Sequence, residues 1–385
     1  MGAVVLGGDF QGLGVIRSLA ENRVPVFLID HEWGIARYSR YVKRMSYKPD
    51  FLHEDVFVEF LLETGRESGL EGWVLYPNND EGVKLLSIHR EELGRFFKVP
   101  VPSWEVVKKF YIKNLVMEVA ARLGIPTPKE YKGLGLEEIL SLDPLYPLVL
   151  KPVNKEKYYP KTKKKAVRVE NEAHLKKEYR DMEALIPPEE IIVQEFIVGG
   201  TENLYSYATL FDGTRHIAGM SAVRLRQHPM DFGKATTYAV SRHMPELEEM
   251  ANRLLREIGF YGIAEVEFMK DEKDGLYKFL EINGRPWGWH TLLRAAGLNI
   301  PFLLYLKETG QEVPVLNGKE GVKWVRLITD IPTVFKEVMG GRMSILDYIS
   351  SMRGEKHFAV LSARDPLPFF AEFLLIPYLW RKRGF

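Results

Sequence analysis

IAEVEFMKDEKDGLYKFLEINGR, residues 263–285, reads as two short strands joined by a tight turn, and its reading decides the fold. Asp274-Gly275 is a hairpin signal, and a three-residue loop of Lys273, Asp274 and Gly275 with the glycine left-handed suits it. That loop sets Val266 opposite Ile282, Phe268 opposite Leu280, Glu267 opposite Glu281 and Glu265 opposite Asn283. Directly opposed carboxylates repel each other. A pair of glutamates flanked by an asparagine is accounted for if a cation sits between them, and oxygen ligands suit Mg²⁺ or Mn²⁺ holding phosphates. A solvated acidic hairpin is the plainer reading. Arg285 favours the metal site, because it falls two residues past Asn283 on the same face, where such a site is the one thing it can serve.

Composition bounds the rest. The 385 residues are 46% hydrophobic, enough for two or three domains with proper cores. Fifty-three basic residues against 52 acidic ones give a formal charge of +1, so there is no general attraction to nucleic acid or to a membrane. The absence of cysteine excludes disulfides, thiolate zinc sites and cysteine nucleophiles. The chain starts directly on a strand, MGAVVLGG, which predicts a cytoplasmic protein.

The first hundred residues read as a parallel α/β layer. VVLGG, a helix over QGLGVIRSLAENR and the strand VPVFLID form a βαβ opening. Gly8, Gly12 and Gly14 fit G-x-x-x-G-x-G and Asp30 ends the second strand, so an NAD-dependent dehydrogenase has to be weighed. Tyr159 and Lys163 have the spacing of a dehydrogenase pair, but Pro160 and the surrounding lysines make that segment a loop. The glycine turn also serves simply to bring a helix close to a strand. A helix near 52–67, the strand WVLYP, the acidic turn NNDE and a helix over 81–93 complete the layer.

Near residue 100 the pattern changes, with Ser103 a helix N-cap, giving a domain 1–100 followed by segments 101–190, 191–310 and 311–385. Residues 154–168 hold seven Lys or Arg and one Glu. They read as a solvated face, or as a mobile lid over phosphates because Lys151 stands just before them; nucleic acid is not favoured. Strands beyond residue 191 fall in antiparallel groups. The final stretch PLPFFAEFLLIPYLWRKRGF is too short and proline-broken to span a bilayer. Packing on the domain is its default reading, and an interfacial membrane contact the alternative.

The ordered set Lys113, Lys151, Gln194-Glu195-Phe196-Ile197, Glu202, Glu267 and Glu281-x-Asn283-x-Arg285 resembles the ATP-grasp superfamily over about residues 100–310. VRLRQHP at 223–229, Gly233 and LEINGRPWG at 280–288 look like its branch of carboxylate–amine ligases that includes D-aspartate ligases. The fold implied is α/β and α+β: an N-terminal parallel domain, then a two-subdomain ATP-grasp fold with antiparallel sheets. The resemblance makes Lys113 and Lys151 nucleotide lysines and Glu195 the start of a hinge. Phe196, Ile197 and Val198 would hold adenine, Glu202 ribose, and Glu267, Glu281 and Asn283 the metal. Arg285 would steady an acyl phosphate and a tetrahedral intermediate. Arg224 and Arg226 alternate with apolar residues on one strand, so at least one is expected to touch phosphate or substrate. The lid lacks the family's usual glycines, which leaves Lys165 as its candidate phosphate contact. The expected cofactors are ATP with Mg²⁺ or Mn²⁺, and the expected substrates a small carboxylate and an amine. No nucleophilic side chain is required, and the histidines show no metal spacing. A non-catalytic ATP-binding protein is a further alternative, and the oligomeric state cannot be read.

Overall fold

A computed structural model describes residues 1–48, 53–131, 133–153, 158, 161–162, 164, 166–230 and 235–383, without the side chains of Lys113, Asn114, Leu379, Trp380, Lys382 and Arg383. Lys165, Tyr159, Lys163, Gly233 and most of the expected lid lie outside the described residues.

Four strands, β1 (Ala3–Leu6), β2 (Val26–Asp30), β3 (Arg44–Tyr47) and β4 (Val74–Pro77), form a parallel sheet in the order β3-β2-β1-β4. β1, β2 and β4 are buried throughout, as continuous apolar runs in a parallel sheet require. The helix Phe10–Ala20 packs on them with Asp9 as N-cap, its carboxylate accepting from the N–H groups of Gln11 and Gly12.

β5 (Leu148–Pro152), β6 (Val167–Val169) and β7 (Ile191–Glu195) make an antiparallel three-stranded sheet ordered β6-β5-β7. Its core joins Leu148, Leu150 and Val193 to Leu175, Tyr179 and Met182 of the helix Glu172–Glu183.

The largest sheet contains β8 (Leu204–Asp212), β9 (His216–His228), β10 (Ala235–Arg242), β11 (Tyr261–Lys270), β12 (Tyr277–Asn283), β13 (Leu316–Asn317), β14 (Lys323–Val325) and β15 (Lys356–Phe358). Its order is β12-β11-β8-β9-β10-β14-β15, with β13 paired to β9. The helix Pro245–Ile258 buries Leu247, Met250, Leu254 and Leu255 and ends at Gly259, whose φ of 75° is the left-handed cap that glycine adopts without strain.

Compactness divides the chain into two units: Met1–Gly124 with Gly200–Phe268 and Glu281–Phe385, and Ile125–Gly199 with Met269–Leu280. The four consecutive segments expected from the sequence do not coincide with them. The helices Trp104–Tyr111 and Lys113–Arg122 belong to the first unit, and the hairpin tip joins the second. A composition shift at Pro100 marks a turn in the chain, but it carries no information about which core the next helix joins.

Candidate active site

β11 and β12 carry the candidate site in the first unit. Strand alternation puts Val266 and Phe268 into the core, both fully buried, and turns Glu265 and Glu267 to the other face. The Asn283 side-chain amide donates to Glu265 Oε2 at 3.1 Å and to Glu267 Oε1 at 3.0 Å, so these side chains share a face. At the tip Gly275 has φ 74°, and the last backbone pair joins the Asp271 N–H to the Leu276 carbonyl. Four residues, Glu272 to Gly275, lie inside that pair, one more than the loop expected from Asp-Gly.

Charge on this face is unbalanced. Arg224 donates to Glu267 Oε2 at 2.6 Å, and Arg285 forms a bidentate pair with Asp80 at 2.8 and 3.1 Å while also donating to Asn283 Oδ1. Burial works to lower both guanidinium pKa values, yet the carboxylates, Glu281 among them, hold both above the usual value. Two guanidinium groups thus face Glu265, Glu267, Glu281 and Asp80, an excess of two negative charges. Protonation relieves part of it: burial, with Glu267 beside it, pushes the Glu265 carboxyl up to about 8. Glu265 Oε1 and Arg224 Nε are both buried without a hydrogen-bond partner among the described residues.

These residues fit a divalent metal. Carboxylate and amide oxygens are hard donors, the face keeps an excess of negative charge for a cation to offset, and a buried carboxylate oxygen lacks a partner among the described residues. Among the described residues no group of three His, Asp or Glu side chains could hold a metal on its own.

The two arginines of β9 part company, contrary to the expectation that they face the same way. β9 pairs Arg224 with Ala239 and Arg226 with Tyr238, so Leu225 is an extra residue in the ladder. A bulge of this kind breaks the two-residue alternation. Arg226 is 3% exposed, bound through Nε and Nη2 to Asp330 at 2.8 and 2.9 Å, with Nη1 donating to Ser351 Oγ and the guanidinium 4.0 Å from the Tyr238 ring. It acts here as a structural strut to Asp330, with three of its five N–H donors engaged. Glu202 lies in the short turn Thr201–Asn203, its carboxylate folded back over Gly200, where a Cβ would be 2.4 Å from it.

In the second unit Lys151 Nζ hydrogen-bonds Gln194 Oε1 and lies 4.0 Å from Glu130. The Glu195 carboxylate accepts from Lys273 at 2.8 Å and Lys278 at 3.0 Å, and these ammonium groups keep its pKa low despite burial. Lys278 also binds Asp271 at 2.7 Å, tying the hairpin tip to β7. The Phe196 N–H goes to Pro147 O and the Val198 N–H to Asp271, while Val198 O accepts from Glu272 N–H. Those backbone groups, expected to meet adenine, are occupied by protein in this structure. Ile197 is 7% exposed, and Arg168 sits 4.4 Å from the Phe196 ring.

The glycine turn of the first sheet is closed on itself. Asp30, fully buried, accepts from the N–H groups of Gly8 (3.0 Å), Glu32 (3.3 Å) and Gly34 (3.1 Å) and from Arg37 (3.4 Å). Gly12 lies against Gly7 O, where a Cβ would be 2.0 Å away, and Gly14 against His290 and Thr291 at 2.6 Å. The glycines therefore serve helix packing and Asp30 braces the turn, which removes the ribose ligand from the dehydrogenase reading.

Sequence reasoning missed two site residues. Asp80 stands in the NNDE turn, where the Asn79 side chain caps the helix Asp80–Ile88 and Asp80 is left to pair with Arg285, 205 residues away. Glu265 was visible only as a cross-strand neighbour. Lys113 begins a helix, and nothing of its side chain is described.

A mixed sheet whose hairpin presents glutamates, an asparagine and two arginines on one face, preceded by a parallel four-stranded sheet, defines an ATP-grasp fold. Known proteins agree. The family model "ATP-grasp in the biosynthetic pathway with Ter operon" matches residues 218–330, which include Arg224, Glu267, Glu281, Asn283 and Arg285. A D-aspartate ligase of Enterococcus faecium (strain Aus0004) is 25% identical over 319 residues, covering 77% of this chain and 74% of the relative. Among solved structures, a biotin carboxylase–β-γ-ATP complex from Campylobacter jejuni superposes with TM-score 0.62 at 16% identity, covering 81% of this chain and 72% of that one. An L-amino acid ligase from Bacillus licheniformis gives TM-score 0.60 at 16% identity, covering 80% and 74%. The chain thus has the ATP-grasp fold and is similar, over residues 218–330, to that ATP-grasp family and, over most of its length, to a D-aspartate ligase.

Proposed function

We propose that the chain joins a small-molecule carboxylate to an amine through an acyl phosphate, using ATP and Mg²⁺ and releasing ADP and phosphate. The observation that carries the reading is the β11–β12 face, where Glu265, Glu267 and Asn283 are hydrogen-bonded together between two arginines. A carboxylate oxygen of the substrate attacks the γ-phosphorus as its bond to the ADP oxygen breaks. The amine nitrogen then attacks the acyl carbon, the bond to phosphate breaks, and the amine loses a proton. Mg²⁺, held by Glu267, Glu281 and Asn283, would neutralise phosphate charge. Lys113, Lys151 and Lys165 are assigned to the phosphates, Glu195 through Val198 to adenine and Glu202 to ribose. Arg285, fixed by Asp80, would face the developing oxyanion, with Arg224 beside it. Positioning and preorganised charge supply such a barrier reduction without a covalent enzyme intermediate.

The relative named a D-aspartate ligase makes acidic amino acids the first carboxylates to try. The test is ADP release across a panel of carboxylate and amine pairs: one pair should raise turnover, and Glu281→Ala should abolish the increase. ADP release that ignores every pair, or survives Glu281→Ala unchanged, would overturn the proposal.

A further inference from the structure

The helix Leu367–Leu374, followed by the helix Ile376–Arg383, inverts the usual amphipathic arrangement. Its inward face holds the single charged residue of the stretch 366–380, Glu372, which binds Arg326 at 2.9 Å with both side chains buried. Pro368, Ala371 and Leu375 pack inward beside it. Outward stand Leu367 and Phe370, each 60% exposed, with Phe373, Leu374 (80%) and Ile376. The inner face is bolted to the domain, so this exposure belongs to a docked helix and not to a frayed one. Monomeric proteins rarely display a continuous large apolar surface without using it.

Two further features define the occupant. The apolar helix runs directly into Arg381, Lys382 and Arg383, with Arg381 exposed. Beside it, the Trp33 N–H donates to Tyr378 Oη at 3.4 Å, which places the exposed Trp33 and its partner Tyr38 at the rim, next to Arg37 stacked 3.7 Å from the Trp33 ring. Apolar centre, aromatic rim and adjoining cations are the composition of a helix lying in a membrane interface, with the cations facing anionic headgroups. No helix among the described residues is long and apolar enough to cross a membrane.

We infer that this face docks the protein in-plane on an anionic phospholipid surface. The inference stands independently of the ligase reading. It is tested by floating the full chain with vesicles of phosphatidylcholine alone and of phosphatidylcholine mixed with phosphatidylglycerol, at low and high salt. The chain should float with the anionic vesicles. F370S/F373S/L374S should weaken binding more than about a hundredfold, and R381E/K382E/R383E should remove the anionic preference, roughly fivefold per charge. Thermal unfolding of the serine variant should match the parent, since the altered side chains are exposed. Failure of the parent to float with anionic vesicles, or equal flotation of the serine variant, would overturn the inference. So would a parent dimer in light scattering that the serine variant dissolves, because the face would then belong to a second copy.

Discussion

Two regions carry nucleotide-binding signatures, and the structure treats them oppositely. In the glycine turn, Asp30 spends its carboxylate on three backbone N–H groups and Arg37, and the glycines exist to let the Phe10–Ala20 helix approach. On the β11–β12 face, acids are crowded beyond what the two arginines neutralise, and Glu265 Oε1 and Arg224 Nε are buried without partners among the described residues. A motif whose acid is filled by its own turn, as Asp30 is, is architecture, even though Arg37 Nε beside it is buried without a partner among the described residues. One that leaves buried charge unsatisfied is poised for a ligand, because such groups are costly unless something completes them.

The sharpest way to break that contrast is Glu281→Ala, which should lower substrate-dependent ADP release by at least about 10²–10³-fold, while the unfolding midpoint stays near the parent's. Normal turnover would reduce the face to a solvated acidic hairpin. Asp30→Ala should do the reverse: about 3–5 kcal/mol lost in denaturant unfolding, from orphaned buried donors and an unpaired arginine, with the KM for ATP unchanged in whatever folds.

A pH series sharpens the comparison further. His290 packs against Gly14, and burial holds its imidazole down to about 4. The unfolded chain therefore binds a proton that the folded one refuses. Stability should fall as pH drops from the ordinary histidine value toward about 4, by on the order of 3 kcal/mol, and His290→Leu should flatten that slope. Glu265 has the opposite sign, because its folded value of about 8 lies above its unfolded one. Its contribution is complete below the ordinary carboxylate range and is lost as pH rises toward about 8. Glu265→Gln should remove this effect, and Mg²⁺ with ATP should mask it in the parent.

Much of the fold was legible because periodicity reports burial. The parallel opening and the hairpin at Asp274-Gly275 follow from apolar runs and a turn glycine, and Ser103 stands at the N-cap position of its helix without a side-chain capping bond. The acidic face was legible at Glu267, Glu281 and Asn283, while Glu265 was visible only as a neighbour of Asn283. Sequence reasoning failed at Arg226, where a single-residue bulge at Leu225 redirected the side chain to Asp330. It missed Asp80, whose partner lies in another part of the chain.

Local sequence alone thus settled which residues share a face where a strand runs regularly, as in β11, since alternation is a property of the backbone; on β9 the pairing with β10 introduced a bulge and overrode it. Tertiary structure decided which of those residues have charge left for a ligand. That depends on groups brought from distant positions, Asp80 to Arg285, Asp330 to Arg226 and three loop amides to Asp30, and only folding places them within hydrogen-bond reach.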